Sequence, residues 1–161
     1  MSRRRRSNRF RYQQLTDDVY AKYRGTGSAQ VVGTRTHTEV ARRMKDFVGD
    51  LGVPSVVAKN DRMTVFKNDS KVNFLPYIDG ISIEQNYSKG TALKTAQKGC
   101  VRPDFAIFTG KAHNELTNNI DIYDIKTGAA GLSNAQQRRN RDGVNGVMGY
   151  NITSQTAVRP R

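Results

Sequence analysis

From Thr36 onward, Val40, Ala41, Met44, Phe47, Val48 and Leu51 recur at helical spacing, and Gly52 followed by Pro54 stops the run. The pattern predicts a helix over about 36–50, opened by the capping box Thr36-x-x-Glu39. After Pro54 the texture turns to strands at Ser55–Ala58, Met63–Lys67 and Val72–Ile78, the last joined through Asp79-Gly80 to Ile81–Gln85 as a hairpin. Pro76 argues for an edge or a bulge in that pair. Asn86–Gly99 is polar and reads as a loop, and two further strands follow at Val101–Phe108 and Ile120–Lys126. Ser133-x-x-Gln136 has the form of a capping box and predicts a second main helix, while the glycine-rich, weakly apolar stretch beyond Gly143 gives little to read. The expected architecture is α/β, a mixed sheet flanked by helices.

A chain of 161 residues has the length of one domain. Residues 1–30 are polar and end in Arg24-Gly25-Thr26-Gly27-Ser28, so the compact domain is expected over 31–161, with a basic, flexible arm before it that carries at most a short helix over Leu15–Tyr23. The charge sharpens this division. Lysine and arginine number 27 against 14 acids, a formal net charge of +13, and Arg3, Arg4, Arg5, Arg6, Arg9 and Arg11 concentrate the excess at the start. Such an excess repels itself unless it meets a polyanion, and nucleic acid is the economical partner. No apolar run is long enough to cross a bilayer, so the chain is expected to be soluble. A single cysteine, Cys100, excludes an internal disulfide and a cysteine-based zinc cluster. His37 and His113 are too few for a histidine-rich metal site, which leaves hard-cation chemistry through carboxylates.

Two strands carry such carboxylates. Arg102-Pro103-Asp104-Phe105-Ala106-Ile107-Phe108 sets an acid at the start of an apolar run, and Ile122-Tyr123-Asp124-Ile125-Lys126 sets an acid and a lysine two apart in the next. Side chains alternate along a strand, so Asp124 and Lys126 share a face, and Asp104 joins them if the strands pair. Two carboxylates can hold Mg²⁺ through hard oxygen ligands, and the lysine can steady charge on a phosphate. Taken singly, Pro-Asp is far more often simply a turn and Asp-x-Lys a surface ion pair; it is their order, the 19 residues between them and their apolar surroundings that point to a site.

The series Arg-Pro-Asp-Phe, then Asp-Ile-Lys-Thr-Gly, then Leu132-Ser133-x-x-Gln136 resembles the PD-(D/E)xK nucleases, especially the branch found as C-terminal toxin domains of bacterial contact-dependent and polymorphic secretion systems. The resemblance covers about residues 35–140. It implies a restriction-endonuclease-like mixed sheet flanked by helices, Mg²⁺ or Mn²⁺ dependence, and cleavage of phosphodiester bonds. DNA is expected as substrate ahead of RNA. The toxin branch further implies a tight-binding cognate immunity protein, whose surface the charge of +13 leads one to expect acidic, and secretion or delivery into a target bacterial cytoplasm; otherwise a cytoplasmic setting is expected. By the family's motif Asp104 and Asp124 are the metal ligands, Lys126 is the catalytic lysine, and Gln136 faces the site from the following helix, although a capping box would instead turn its side chain back to Ser133. The family often sets another acid on the first core helix. Glu39 is the candidate, but it lies away from the Val40, Met44, Phe47 stripe, whereas His37 falls closer to that stripe and could take the acid's place.

Arg138, Arg139 and Arg141 extend the second helix as a basic ridge able to hold a nucleic-acid backbone, or simply as a solvated face. Glu84 offers a further ligand or a strand-end surface acid, and Tyr87 and Lys89 read as loop residues rather than a base-stacking platform. On the same residues an RNase or tRNase, a phage or host DNA-processing nuclease, and a nucleic-acid-binding protein without catalysis stay open.

Overall fold

A computed structural model describes residues 3–60, 63–67, 78–110 and 117–161, with side chains from Arg11 onward. Within them the architecture is α/β, as expected. Helix α1 (Arg3–Tyr23) turns through Gly25 into α2 (Ala29–Leu51). Strands β1 (Ser55–Asn60), β2 (Met63–Lys67), β3 (Gly80–Ile83), β6 (Phe105–Thr109), β7 (Asn119–Ile125) and β8 (Asn151–Val158) form one mixed sheet in the order β2-β1-β3-β6-β7-β8. Strands β4 (Asn86–Ser88) and β5 (Thr91–Leu93) make a separate hairpin, and α3 (Asn134–Val144) lies between β7 and β8 in sequence.

The alternation of β6 and β7 divides the interior in two. Phe105, Ile107, Tyr123 and Ile125 point to one side, where α1 and α2 supply Tyr12, Leu15, Val19, Val40, Met44 and Val48. Ala106, Phe108, Ile120 and Ile122 point to the other, where they meet Tyr87 and Ala92 of the small hairpin, Val144 of α3, and Val147 and Tyr150 beyond it. Because both faces are covered, every residue of β6 and β7 is buried.

Several expectations are corrected. Residues 3–23 are helical rather than a loose arm, and from Tyr12 onward the segment belongs to the core: Tyr12 stacks on Phe105 at 4.8 Å between ring centroids, and Leu15 and Val19 are buried beside it. A stack of this kind adds about 0.5–1.5 kcal/mol beyond area burial. The apolar positions Tyr12, Leu15 and Val19 do recur at helical spacing, but they sit among charges dense enough to hide them. Helix α2 begins at Ala29, capped by Ser28, whose hydroxyl accepts from the Val31 N–H at 3.2 Å. Thr36 is therefore in mid-helix, its hydroxyl donating to the Val32 carbonyl at 2.7 Å, and no capping box forms with Glu39. The C-terminal stop at Gly52 is as expected, with φ 70°.

The polar stretch 86–99 contains the β4–β5 hairpin, and the tail beyond Gly143 contains β8, parallel to β7. Ser133 caps α3 as expected, accepting from the Gln136 N–H at 3.1 Å. The strand expected at 72–78 lies, up to Tyr77, outside the described residues, as does the side-chain role of Arg3 to Arg9. Among the described residues no helix is long and apolar enough to cross a membrane.

Candidate metal and phosphate site

Antiparallel pairing sets Phe105 opposite Tyr123, so the next position outward brings Asp104 against Asp124. The two acids are locked by reciprocal main-chain bonds. The Asp104 N–H donates to Asp124 Oδ1 at 2.9 Å, and the Ile125 N–H donates to Asp104 Oδ2 at 2.7 Å. Asp124 is 4% exposed, and its Oδ2 has no hydrogen-bond partner among the described residues. Burial is the main force raising the Asp124 pKa, and the negative charge of Asp104 adds to it. The Asp104 N–H, the Lys126 charge and the Asn140 amide oppose the shift, and none of them closes a bond to Oδ2.

Lys126 shares the face of Asp124, as strand alternation requires. Its ammonium donates to Gln136 Oε1 at 2.9 Å, so the Gln136 side chain serves the site while only its main-chain N–H takes part in the cap. The loop after β7 is pinned from the far end of the chain, where the Arg159 guanidinium donates to the Ala129 carbonyl at 3.1 Å.

The residue that α2 contributes is His37. Its Nε2 lies 3.3 Å from Asp104 Oδ2 and 3.1 Å from the Ile125 carbonyl, and its Nδ1 lies 2.7 Å from the Gly33 carbonyl. Every partner is an acceptor, so both ring nitrogens must donate and the ring is an imidazolium. Consistently, the hydrogen bond to Asp104 pushes its pKa up to about 9 against the opposing effect of burial.

Glu39 stands apart from these groups. It is buried where α1 crosses α2, accepting from Lys22 Nζ at 2.7 Å and the Tyr23 hydroxyl at 2.7 Å and pairing with Arg43 at 2.6 Å. The bond from Lys22, then that from Tyr23, lowers its pKa to about 2. Its work is to fasten the two helices, and the helix position considered for an acid is filled by a histidine. Glu84 sits closer. Its N–H donates to the Asp104 carbonyl at 3.1 Å, its backbone is held at φ 52°, and its carboxylate lies 3.7 Å from Arg102.

Tyr12 was missed in the sequence. It packs under the acids from the α1 side, and burial, then the charges of Asp104, Asp124 and Glu84, hold its phenol un-ionised. The signal available was its helical spacing with Leu15 and Val19. Arg138, Arg139 and Arg141 are exposed on α3, as a basic ridge requires.

The donor set fits a hard divalent cation. No cluster of three or more His, Cys, Asp or Glu side chains forms a metal site among the described residues. Mg²⁺, however, is commonly held by one or two carboxylates with waters filling the rest of its shell, and here Asp104 and Asp124 converge with one carboxylate oxygen left unbonded. No family model, curated protein or solved structure matches the chain.

Proposed function

We propose that the protein is a metal-dependent nuclease that hydrolyses phosphodiester bonds, DNA being the favoured substrate, with Asp104 and Asp124 holding Mg²⁺ or Mn²⁺. The observation that carries the reading is the buried, unbonded Oδ2 of Asp124 beside Asp104. Leaving a buried carboxylate oxygen without a donor costs about 1–3 kcal/mol or more, and a cation removes that cost. A divalent ion bound there supplies charge neutralisation at the scissile phosphate and lowers the pKa of an attacking water.

The remaining chemistry belongs to the chain. Lys126 offers a positive charge to the phosphoryl oxygens as negative charge accumulates on them, and Gln136 fixes its ammonium at 2.9 Å so that little reorganisation is needed. The Ile125 N–H and His37 hold Asp104 in one rotamer. The net charge of +13 favours encounter with a polyanion.

The test incubates the protein separately with plasmid DNA and total RNA, in Mg²⁺ and in EDTA. Mg²⁺-dependent, EDTA-sensitive cleavage is expected, and the polymer degraded identifies the substrate. Tight binding with no cleavage of either polymer would replace the reading with that of a nucleic-acid-binding protein.

A further inference from the structure

A pocket of about 280 Å³ is set between the β4–β5 turn, the segment before β6 and α3. Lys89, Lys98 and Arg139 line it from these three separate elements, and Asp142 is the one acid on its wall. All four side chains are exposed, and none forms an ion pair or side-chain hydrogen bond with another described residue. Three cations lining one pocket without partners repel one another, and among the described residues on its wall Asp142 is the one carboxylate to offset that repulsion.

The backbone holds the three together. Lys89 and Gly90 form a two-residue turn with φ values of 48° and 77°, the type in which asparagine and glycine are the favoured residues. A lysine there strains the backbone by roughly 1–3 kcal/mol. The turn is tied to the helix by a hydrogen bond from the Gly90 N–H to the Gly143 carbonyl at 2.8 Å. Gly90 makes the approach possible, since a Cβ there would stand 2.9 Å from the Asn145 carbonyl oxygen at the end of the helix. Arg139 is one turn back from Gly143 on the same face of α3, which brings its guanidinium to the turn, whereas Arg138 and Arg141 point elsewhere and line no part of the pocket.

The pocket is coupled to the acids along two stretches of chain. Lys98 lies on the segment that runs through Arg102 to Asp104, and Arg139 is three residues beyond Gln136, about 4.5 Å along the helix axis. We propose that Lys89, Lys98 and Arg139 form one phosphate-binding pocket that grips a backbone phosphate of the nucleic acid adjoining the one cleaved, and so sets the path of the strand across Asp104 and Asp124. This rests on the nuclease reading for the identity of the neighbouring site, but the binding it describes can be measured without chemistry.

The test compares binding of a labelled DNA duplex and a labelled RNA in EDTA, over a range of NaCl, for the wild type, Lys89→Asn, Lys98→Gln, Arg139→Gln and the triple variant. Asparagine suits the positive φ at position 89, so the charge is removed without added strain. Each single variant should weaken binding several-fold, and the triple variant should weaken it little further, because three groups share one anion. For the same reason the log–log salt slope of the triple variant should fall by about 1 rather than about 3. Millimolar inorganic phosphate should compete with the wild type better than chloride of equal ionic strength and lose that advantage in the triple variant. Unchanged affinity in the triple variant, or a slope smaller by about 3, overturns the pocket. A wild type that binds but cuts neither polymer in Mg²⁺ defeats the nuclease reading and leaves this comparison able to decide the pocket. Preferential binding of an acidic protein with no effect on either nucleic acid also overturns it.

Discussion

His37 Nε2 stands 3.3 Å from Asp104 Oδ2, so the imidazolium occupies a flank of the very carboxylate assigned to the cation. Two positive charges then compete for one acid. His37→Gln removes the ring charge while keeping a donor, and the Mg²⁺ concentration giving half-maximal cleavage should fall by roughly threefold or more, since charges this close interact by several kcal/mol even at an effective dielectric of about 20. Mn²⁺ affinity measured by calorimetry should move the same way. A weaker cation affinity would mean that His37 serves chiefly to hold Asp104 in place.

Asp124 and Lys126 are expected to matter for chemistry and not for folding. Asp124→Asn and Lys126→Ala should each lower cleavage at least ~100-fold while circular dichroism stays native. Asp124 carries a raised pKa, so its charged form is disfavoured in the fold: the stability this one group contributes is fully present below the ordinary carboxylate range and is lost as pH rises through the elevated value. At neutral pH without divalent cations, Asp124→Asn should therefore melt at or above the wild-type temperature. A variant that melts well below the wild type would assign Asp124 a structural role.

Glu39 has the opposite sign. Its pKa is lowered to about 2 from 4.5, so the stability it contributes is fully present above pH 4.5 and is lost as pH falls towards 2. Glu39→Gln should be less stable than the wild type at neutral pH, with the difference closing over that window in urea titrations. Turnover at saturating substrate should be retained at pH 7. A large loss of turnover in a fully folded variant would return Glu39 to the active site.

Tyr12 tests whether α1 belongs to the domain. Replacing the ring by alanine removes a stack on Phe105 and leaves a cavity beneath β6, at a cost of about 3–5 kcal/mol. Chemical denaturation should report a loss of this size. A cost below about 1 kcal/mol would mean that α1 sits loosely on the sheet.

What could be read from the chain in advance follows from how strongly each element advertises its burial. Strands β6 and β7 are covered on both faces and are the most apolar runs in the sequence, so Asp104, Asp124 and Lys126 stood out against them. Ser133 was legible as a cap because serine there meets a single, ordinary need, the N–H three residues on. The arginine-rich start concealed Tyr12, Leu15 and Val19, since a helix that buries one narrow stripe beneath many charges has almost no amphipathic signature. Strand β8 was invisible for a related reason: Asn151, Thr153 and Ser154 face solvent at the sheet edge, and the strand is specified by pairing with β7 rather than by its own pattern. The place of His37 was open because a helical wheel tells which side a residue faces but not which carboxylate it will meet. The grouping of Lys89, Lys98 and Arg139 depends on tertiary contact alone.

The parallel pairing of β7 with β8 also has a consequence for how the molecule comes into being. The Lys126 N–H donates to the Val158 carbonyl at 3.0 Å, and Gln13 and Asp17 of α1 bond the chain at Arg159 and Arg161. The strand that bears Asp124 thus lacks its outer neighbour, and α1 its last anchors, until β8 and the residues after it have left the ribosome. Contacts that span nearly the whole sequence delay loop closure and slow folding. A nascent chain halted before Asn151 holds both acids but lacks the strand that pairs with the one bearing Asp124, so that side of the sheet is completed late in synthesis.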